Sequence, residues 1–313
     1  MRIDFIIGIP RSGTTLLSTR FRSNPNVLSL LESKLSIAVI KDVKSENGKF
    51  LKTEKLIVKL NKKLHKTDYS IVNDPLLKLN NIQPTSAIEA IEIISSCIRY
   101  RNHPTAKRVI DKNPQFTWYV DKISNAFPSA RFIIMNRDPR GFVLSKRQKR
   151  KKENFIFTVS FLAILWRQFQ KKIKKIKAEH GGKTTEITYE KLCSNPELEL
   201  ECICKFLDLQ YSKNMLEGHE LNIDYSKNFE RKKIITNDLS KNINTSRLYA
   251  WKTELNRRQI LRIEVICRRE IKAMKYNTEF NPSILTKYWI LVTAFPFRAL
   301  AELRMILIHI KYN

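Results

Sequence analysis

Residues 3–15 read IDFIIGIPRSGTT, an apolar run that leads through a glycine-containing turn into a stretch rich in threonine and leucine. The unalternating run Ile3–Ile9 predicts a strand that is buried on both faces, and Thr14–Ser23 has the pattern of a helix. Backbone N–H groups at such a strand–turn–helix converge on one point, where the helix dipole adds positive potential. The segment therefore predicts a loop that binds a phosphate-like anion.

The residues of this loop limit which anion it takes. Gly13 lets a ligand come close to the backbone, and the hydroxyls of Thr14 and Thr15 add hydrogen-bond donors. The spacing nearly satisfies the GxxxxGK[ST] loop of NTP-binding proteins, but Thr14 stands where the lysine belongs. Arg11 is the cation that the loop offers instead. A kinase or NTPase with a degenerate loop is therefore one alternative function.

Further along the chain, predicted strands alternate with predicted helices. The strands are expected at Arg108–Ile110, Arg131–Met135 and Thr185–Thr188, and the helices at Ile88–Arg101, Pro139–Lys152, Phe155–Lys177, Pro196–Leu207 and Arg257–Met274. Such alternation predicts a parallel sheet that is covered by helices on both sides. The expected fold class is α/β, with three layers in the order α/β/α.

Two motifs at strand ends resemble the signatures of one enzyme family. PRSGTT at 10–15 resembles the 5′-phosphosulfate-binding loop of sulfotransferases, which use 3′-phosphoadenosine-5′-phosphosulfate (PAPS). ARFIIMNRDPR at 130–140, followed by Ser145, resembles the element that holds the 3′-phosphate in that family. Arg137 would offer a fork of donors to this phosphate. The resemblance implies a P-loop NTPase-like fold, PAPS as the co-substrate, and nucleotide contacts from Arg11, Ser12, Gly13, Thr14, Thr15, Arg137 and Ser145.

Three later blocks keep the order of the same family. They are DKNP at 111–114, TYEKL at 188–192 and SRLYAWKTEL at 246–255, and with them the resemblance covers roughly residues 3–280. It implies that Lys112 lies beside the bridging oxygen of the donor, where negative charge grows during transfer. Tyr189 is a candidate for packing on adenine as an aromatic platform, with a place in the core as the alternative, and Ser246 and Lys252 are candidate late contacts of the cofactor site.

The general base is predicted from spacing within the same resemblance. Glu32 lies 21 residues after Arg11, as a catalytic glutamate does in tyrosylprotein-type sulfotransferases. Cytosolic sulfotransferases use a histidine two residues after the lysine, but Pro114 occupies that position here. Asp111 is the second candidate and His103 the third. The constellation requires no metal, and the five cysteines show no zinc-site spacing.

The net charge of +28 indicates an anionic partner without naming it. The run KRQKRKK at 146–152 raises a nucleic-acid-binding protein as another alternative, although no known nucleic-acid module is visible. The sequence does not identify the acceptor among a glycan, a lipid headgroup, a peptide tyrosine and a small alcohol, and a glycan or lipid-linked glycan is the preferred expectation. The absence of a signal-like segment and of a disulfide framework predicts a cytoplasmic location.

The tail differs from the rest of the chain. We expect a sulfotransferase domain at 1–280 and an apolar and basic helical extension at 281–313. Residues 284–310 mix Trp289, Phe295 and many aliphatic residues with lysine and arginine. This pattern predicts either a packed pair of helices or an interfacial segment on an anionic membrane, in which case the acceptor would be a lipid-linked glycan or lipid headgroup.

Overall fold

The structure is a computed structural model that describes residues 2–31, 106–149, 158–217 and 245–312, together with a few single positions between these ranges. Most of the predicted helix Ile88–Arg101 and the candidate bases Glu32 and His103 lie outside the described residues.

The described strands form a five-stranded sheet in the order β2-β3-β1-β4-β5. Their bounds are β1 Arg2–Gly8, β2 Val27–Leu31, β3 Arg108–Lys112, β4 Phe132–Asn136 and β5 Thr184–Thr188. β3 pairs in parallel with both β1 and β2. β1 also runs parallel to β4, because Phe5 N–H donates to Arg131 O and Ile9 N–H, four residues on, donates to Met135 O. The parallel α/β class is confirmed, and β2 is a strand that the sequence analysis did not predict.

Helices connect and follow these strands. They are α1 Thr14–Arg22, α2 Val120–Ala126, α3 Pro139–Lys149, α4 Val159–His180, α5 Tyr189–Ser194, α6 Pro196–Leu207, α7 Trp251–Glu254, α8 Arg257–Ile266, α9 Arg268–Ala273 and α10 Ile284–Tyr312. The expectation of one helix over Arg257–Met274 is wrong in one respect, because the helix breaks at Cys267. The expectation of a helix pair in the tail is also wrong, since α10 continues through Pro296 as one helix. Among the described residues, no helix has the length and hydropathy that a membrane-spanning segment needs.

The chain divides into two compact units. The first comprises Met1–Ile7, Thr14–Ile133 and Pro196–Ile243, and the second comprises Gly8–Gly13, Ile134–Asn195 and Asn244–Asn313. The division predicted at residue 280 is a separate boundary and stays a prediction.

Side-chain alternation on the strands of the first unit places helices on both faces of its sheet. Phe5 packs against Phe116 and Phe127, which lie before and after α2 in the chain. The ring centroid of Phe5 is 5.6 Å from that of Phe116 and 5.8 Å from that of Phe127. The next residue, Ile6, is paired in register with Lys112, whose side chain reaches α1. Because successive side chains of a strand point to opposite faces, α1 and α2 cover opposite sides. This arrangement agrees with the three predicted layers.

A buried carboxylate joins three segments of the first unit. Asp4 lies in β1, is fully buried, and accepts hydrogen bonds from the guanidinium of Arg108 and from the backbone N–H of Arg131. Its charge is compensated by Arg108, which satisfies the rule that buried charges are paired. Asp4 thus ties β1 to β3 and to the residue that precedes β4.

Candidate active site

The loop after β1 has an unusual backbone that its residues explain. Gly8, Arg11 and Gly13 all have positive φ, at 125°, 73° and 85°. A Cβ at Gly8 would come 2.1 Å from the carbonyl oxygen of Met135, so this position accepts only glycine. A Cβ at Gly13 would come 2.7 Å from the ring of Tyr189. The loop therefore turns tightly and packs against Met135 and Tyr189 at two positions that have no room for a side chain.

Ser12 shapes this loop from the inside. Its hydroxyl lies 2.5 Å from the carbonyl oxygen of Ile9 and 3.0 Å from that of Met135, and its backbone N–H also donates to Ile9. The side chain is fully buried. The structure thus places both donors of Ser12 in internal hydrogen bonds that shape the loop, and its predicted contact with the nucleotide stays a prediction.

The second unit brings four of the predicted nucleotide-binding residues together. Arg11 donates from Nε to the hydroxyl of Ser145 at 3.1 Å, and Arg137 donates from Nη1 to the carbonyl oxygen of Arg11 at 3.0 Å. The guanidinium of Arg137 lies over the ring of Tyr189, with 4.2 Å between its Cζ and the ring centroid. Two guanidinium groups, a hydroxyl and an aromatic ring therefore meet at the carboxyl end of β4, where open α/β sheets bind their ligands.

The guanidinium of Arg137 has a hydrogen-bond donor that the protein leaves unused. Its side chain is nearly buried, and its Nε has no hydrogen-bond partner in the structure. A buried donor without a partner costs about 1–3 kcal/mol, which an anion that reached it would offset. The Nε faces Gly141, where a Cβ would come within 2.9 Å of it. The carbonyl of Arg137 accepts from the indole N–H of Trp166 at 3.0 Å, which fixes the backbone behind the guanidinium. The donor set thus fits a phosphate group.

A buried network of charged side chains holds the RDPR motif at 137–140 in place. Arg140 pairs with Asp138 at 2.6 Å and with Glu264 at 2.7 Å, and its guanidinium lies 3.8 Å from the ring centroid of Trp251. Burial lowers the pKa of Arg140, but the two carboxylates outweigh it and leave the pKa raised. The Arg-Asp pair of the RDPR motif therefore has a structural part, which holds the start of α3 in place.

Glu190 is a half-buried acid next to this network. It accepts hydrogen bonds from the backbone N–H of Asp138 at 3.1 Å and from the hydroxyl of Tyr276 at 2.8 Å. Burial raises the pKa of Glu190, and the negative charge of Asp138 raises it further. No role was predicted for Glu190 within TYEKL, and neither Glu264 nor Tyr276 was a candidate. Glu264 lies in unremarkable helical sequence, and Tyr276 follows α9 outside any motif.

In the first unit, Lys112 is a buried cation at the end of β3. Its side chain is 1% exposed, and its Nζ donates to the hydroxyl of Thr15 at 3.0 Å. Thr15 is the second residue of α1, directly after the loop and Thr14 in the chain. The ammonium of Lys112 is therefore buried beside the start of α1, and its role in sulfuryl transfer stays a prediction.

Asp111 lies on the other face of the sheet. Its carboxylate accepts hydrogen bonds from the backbone N–H and, at 2.6 Å, the hydroxyl of Ser36. Because Asp111 and Lys112 are neighbours in β3, their side chains point in opposite directions. The structure therefore does not bring these two groups together.

The late candidates are at the surface. Ser246 is exposed in the turn before α7, and Lys252 pairs with Glu279 at 2.8 Å. Their predicted nucleotide contacts stay predictions.

Comparison with known proteins identifies the family. A family model described as "Sulfotransferase family" matches residues 5–213. The chain belongs to the sulfotransferase family. The match includes both anion-binding motifs and Lys112, and it favours a sulfotransferase over the kinase and nucleic-acid-binding alternatives.

Relatives of this sulfotransferase have been named in animals. It is 26% identical over 255 residues to a putative protein-tyrosine sulfotransferase of Caenorhabditis briggsae, covering 80% of each chain. It is also 26% identical over 227 residues to protein-tyrosine sulfotransferase 1 of Danio rerio, covering 71% of this chain but 57% of the zebrafish protein.

Solved structures agree on the fold. The sulfotransferase domain of the Synechococcus PCC 7002 olefin synthase superposes with a TM-score of 0.59 at 18% identity, covering 88% of this chain and 95% of that domain. The sulfotransferase domain from the curacin biosynthetic pathway gives 0.54 at 18% identity, covering 88% and 98%. The predicted P-loop NTPase-like α/β fold of this sulfotransferase is thereby confirmed.

Proposed function

We propose that this sulfotransferase transfers a sulfuryl group from PAPS to the hydroxyl of a tyrosine side chain in a protein. The observation that carries the nucleotide assignment is the guanidinium of Arg137, which is held by Arg11 O and the Tyr189 ring while its buried Nε has no partner. The tyrosine acceptor rests on the relatives, which are named as protein-tyrosine sulfotransferases. It replaces the glycan or lipid-linked glycan as the preferred acceptor.

The residues divide the work of the reaction between them. PAPS supplies the sulfuryl group, which passes to the acceptor oxygen as its bond to the bridging phosphate oxygen breaks. Arg137 and Ser145 would hold the 3′-phosphate by charge-assisted hydrogen bonds. Arg11 and the amides of Gly13, Thr14 and Thr15 would hold the 5′-phosphosulfate at the start of α1. Tyr189 would fix the guanidinium of Arg137 and would also stack on the adenine of PAPS.

Two groups would act on the transferred atoms. Lys112 would stabilise the negative charge that grows on the bridging oxygen, because its ammonium is already buried and needs no reorganisation during the reaction. Glu32 would accept the proton of the tyrosine hydroxyl as the new S–O bond forms. The cytoplasmic location belongs to the same proposal, which is consistent with the lack of disulfides within the described part of the chain.

Calorimetry with the product nucleotide, 3′-phosphoadenosine-5′-phosphate, tests the donor site. We expect binding to this nucleotide and weaker binding to ATP. Arg137→Ala should weaken the first by about 10–150-fold, since a hydrogen bond to a charged group contributes about 1.5–3 kcal/mol. Arg167→Ala is the matched control, because Arg167 pairs with Glu270 on the partly exposed side of α4. Unchanged affinity in Arg137→Ala would remove the basis of the nucleotide assignment.

The acceptor is tested separately by transfer of label from radiolabelled PAPS. Equal assays should contain a tyrosine-bearing peptide, the same peptide with phenylalanine in place of tyrosine, and an oligosaccharide. We expect label in the tyrosine peptide alone. Label in the oligosaccharide alone would restore the glycan acceptor and leave the donor site unaffected.

A further inference from the structure

The last helix presents a long apolar side to solvent. In α10 the residues Ile290, Ala294 and Ala301 are buried, and they mark the side that packs on α4 and α8. Large apolar residues outside this side are exposed, and they are Ile284, Leu285, Tyr288, Trp289, Leu291, Val292, Phe295, Leu300, Leu303, Ile306 and Leu307. Monomeric soluble proteins rarely expose apolar patches of this extent without a function.

The pattern of α10 is that of a helix lying at an interface. With successive residues 100° apart, the exposed apolar residues cover about half of the helix circumference over more than six turns. Lys287 and Arg298 lie along one margin of this apolar side and Arg304 lies along the other, while Glu302, which pairs with Arg298 at 3.1 Å, lies within it. Aromatic rings occupy its first half at Tyr288, Trp289 and Phe295, and tyrosine and tryptophan favour the boundary between headgroups and acyl chains.

Two side-chain contacts hold this helix in place within the second unit. Arg262 of α8 donates to the hydroxyl of Thr293 at 2.6 Å, and the guanidinium of Arg304 lies 6.0 Å from the ring centroid of Phe161 in α4. Its apolar side therefore does not turn inward without breaking these contacts. The exposed side is a formed surface rather than a loosely held tail.

Charge decides which occupant fits this surface. Residues 257–312 contain eleven Lys and Arg residues against four Asp and Glu residues. Exposed members of the basic set on α8 and α9 are Arg257, Arg258, Arg268, Arg269 and Lys272. A second copy of this chain would bring together two chains that each carry a net charge of +28. An anionic lipid surface instead neutralises the same charges.

We propose that α10 lies in the headgroup region of an anionic membrane, with its apolar side against the acyl chains and its flanking cations among the anionic headgroups. The helix would thereby hold the second unit at the membrane surface. This inference does not depend on the donor nucleotide or on the acceptor.

Co-sedimentation of the full chain with vesicles tests the proposal. One set of vesicles contains phosphatidylcholine alone, and the other contains equal parts of phosphatidylcholine and phosphatidylglycerol. We expect binding to the anionic set that weakens as salt is added, and little binding to the neutral set. Lys287→Gln should lower the partition coefficient about fivefold, the effect of one cation near such a surface.

Two substitutions test whether the apolar side of α10 is the part that contacts the membrane. Val292 and Phe295 are 51% and 69% exposed, so Val292→Asp and Phe295→Asp should leave the fold intact while each lowers partition about tenfold or more. Leu198→Asp is the matched control: it places the same acid at a 58% exposed leucine on α6, outside the proposed surface. Thermal unfolding of each variant verifies folding.

Fluorescence provides a second readout that needs no acidic variant. Brominated acyl chains should quench part of the tryptophan emission of the vesicle-bound protein, and Trp289→Phe should remove the quenched part. Equal binding to neutral vesicles, or equal losses in Leu198→Asp and Phe295→Asp, would contradict the proposal. So would sedimentation showing a dimer that Phe295→Asp dissociates, with no vesicle binding by the unaltered protein.

Discussion

The ring of Tyr189 lies against both the guanidinium of Arg137 and the backbone of Gly13. The Cζ of Arg137 is 4.2 Å from the ring centroid, and the ring leaves no room for a Cβ on Gly13. Burial raises the pKa of Tyr189, so the phenol stays neutral at physiological pH. One aromatic side chain thus contacts both of the motifs that the sequence assigns to the nucleotide.

Replacing Tyr189 by leucine should weaken binding of the bisphosphate nucleotide. Loss of the ring removes a cation–π contact of about 1 kcal/mol and frees Arg137 to adopt other rotamers, so we expect about a fivefold rise in Kd. Tyr189→Phe is the matched control, because it keeps the ring and should bind nearly as the unaltered protein does. Calorimetry measures both, and equal affinities of the leucine and phenylalanine variants would show that the ring does not position Arg137.

Replacing Lys112 by methionine should reduce turnover far more than nucleotide binding. Methionine fills much of the buried volume but carries no charge for the leaving oxygen, and loss of one such stabilising group typically costs about 10²–10³-fold in kcat. Lys107→Met is the control, since Lys107 is an exposed lysine one residue before β3. Turnover equal to that of the control would remove Lys112 from the reaction.

Glu32→Gln should retain nucleotide affinity and lose about 10²–10⁴-fold in turnover, as expected for removal of a general base. Glu201→Gln, at an exposed site on α6, serves as the control for the loss of one negative charge. The competing variant is Asp111→Asn. Normal turnover in Glu32→Gln together with a large loss in Asp111→Asn would move the base to Asp111.

The raised pKa of Glu190 predicts a pH dependence of stability. Above about pH 4.5, the ordinary pKa of a glutamate, the unfolded chain has released this proton while the folded protein still holds it. The contribution of Glu190 to the free energy of unfolding is therefore largest below pH 4.5, and it declines as the pH rises through the raised pKa. Glutamine resembles the protonated form and can still accept from Asp138 N–H.

Denaturant unfolding of Glu190→Gln and of the unaltered protein measures this effect. The stability of the variant relative to the unaltered protein should rise between mildly acidic and neutral pH. Glu201→Gln should show a smaller change over the same range. A relative stability of Glu190→Gln that falls with pH would contradict the assignment of a raised pKa.

Sulfuryl transfer should persist in excess EDTA. Arginine, lysine and backbone amides would provide the positive charge that magnesium provides in kinases, so chelation should leave the rate of label transfer unchanged. A magnesium-dependent kinase assayed in the same buffer confirms that chelation is complete. Loss of transfer that added magnesium restores would show that a metal takes part.

The parts of the fold that were predictable are those encoded by short, local patterns. β1, the loop and α1 follow from one segment of 13 residues, and β4 with Arg137 follows from another. β2 was missed because Val27–Leu31 is a short run interrupted by Ser29, whose hydroxyl is satisfied only once the chain folds and Ser18 is near. Local pattern does not reveal such tertiary partners.

The site shows the same division. The grouping of Arg11, Arg137 and Ser145 was predictable because each belongs to a motif with a known ligand. The network of Arg140 with Glu264 was not, since 124 residues separate the two and neither Glu264 nor its surroundings form a motif. The inward hydroxyl of Ser12 also escaped prediction, because its acceptor Met135 O comes from a distant strand.

The position of β1 in the sheet has a consequence for synthesis of the chain. Arg2 pairs with Arg108, so at about 5–20 residues per second the ribosome supplies this partner roughly 5–20 s after β1 itself. During that interval an apolar segment of high β-propensity has no neighbouring strand, which is the condition under which nascent chains aggregate. Asp4 places a charge in the middle of the segment and opposes such association until Arg108 emerges. The carboxylate of Asp4, which joins β1 to β3 in the folded protein, therefore also opposes aggregation of β1 before β3 has been synthesised.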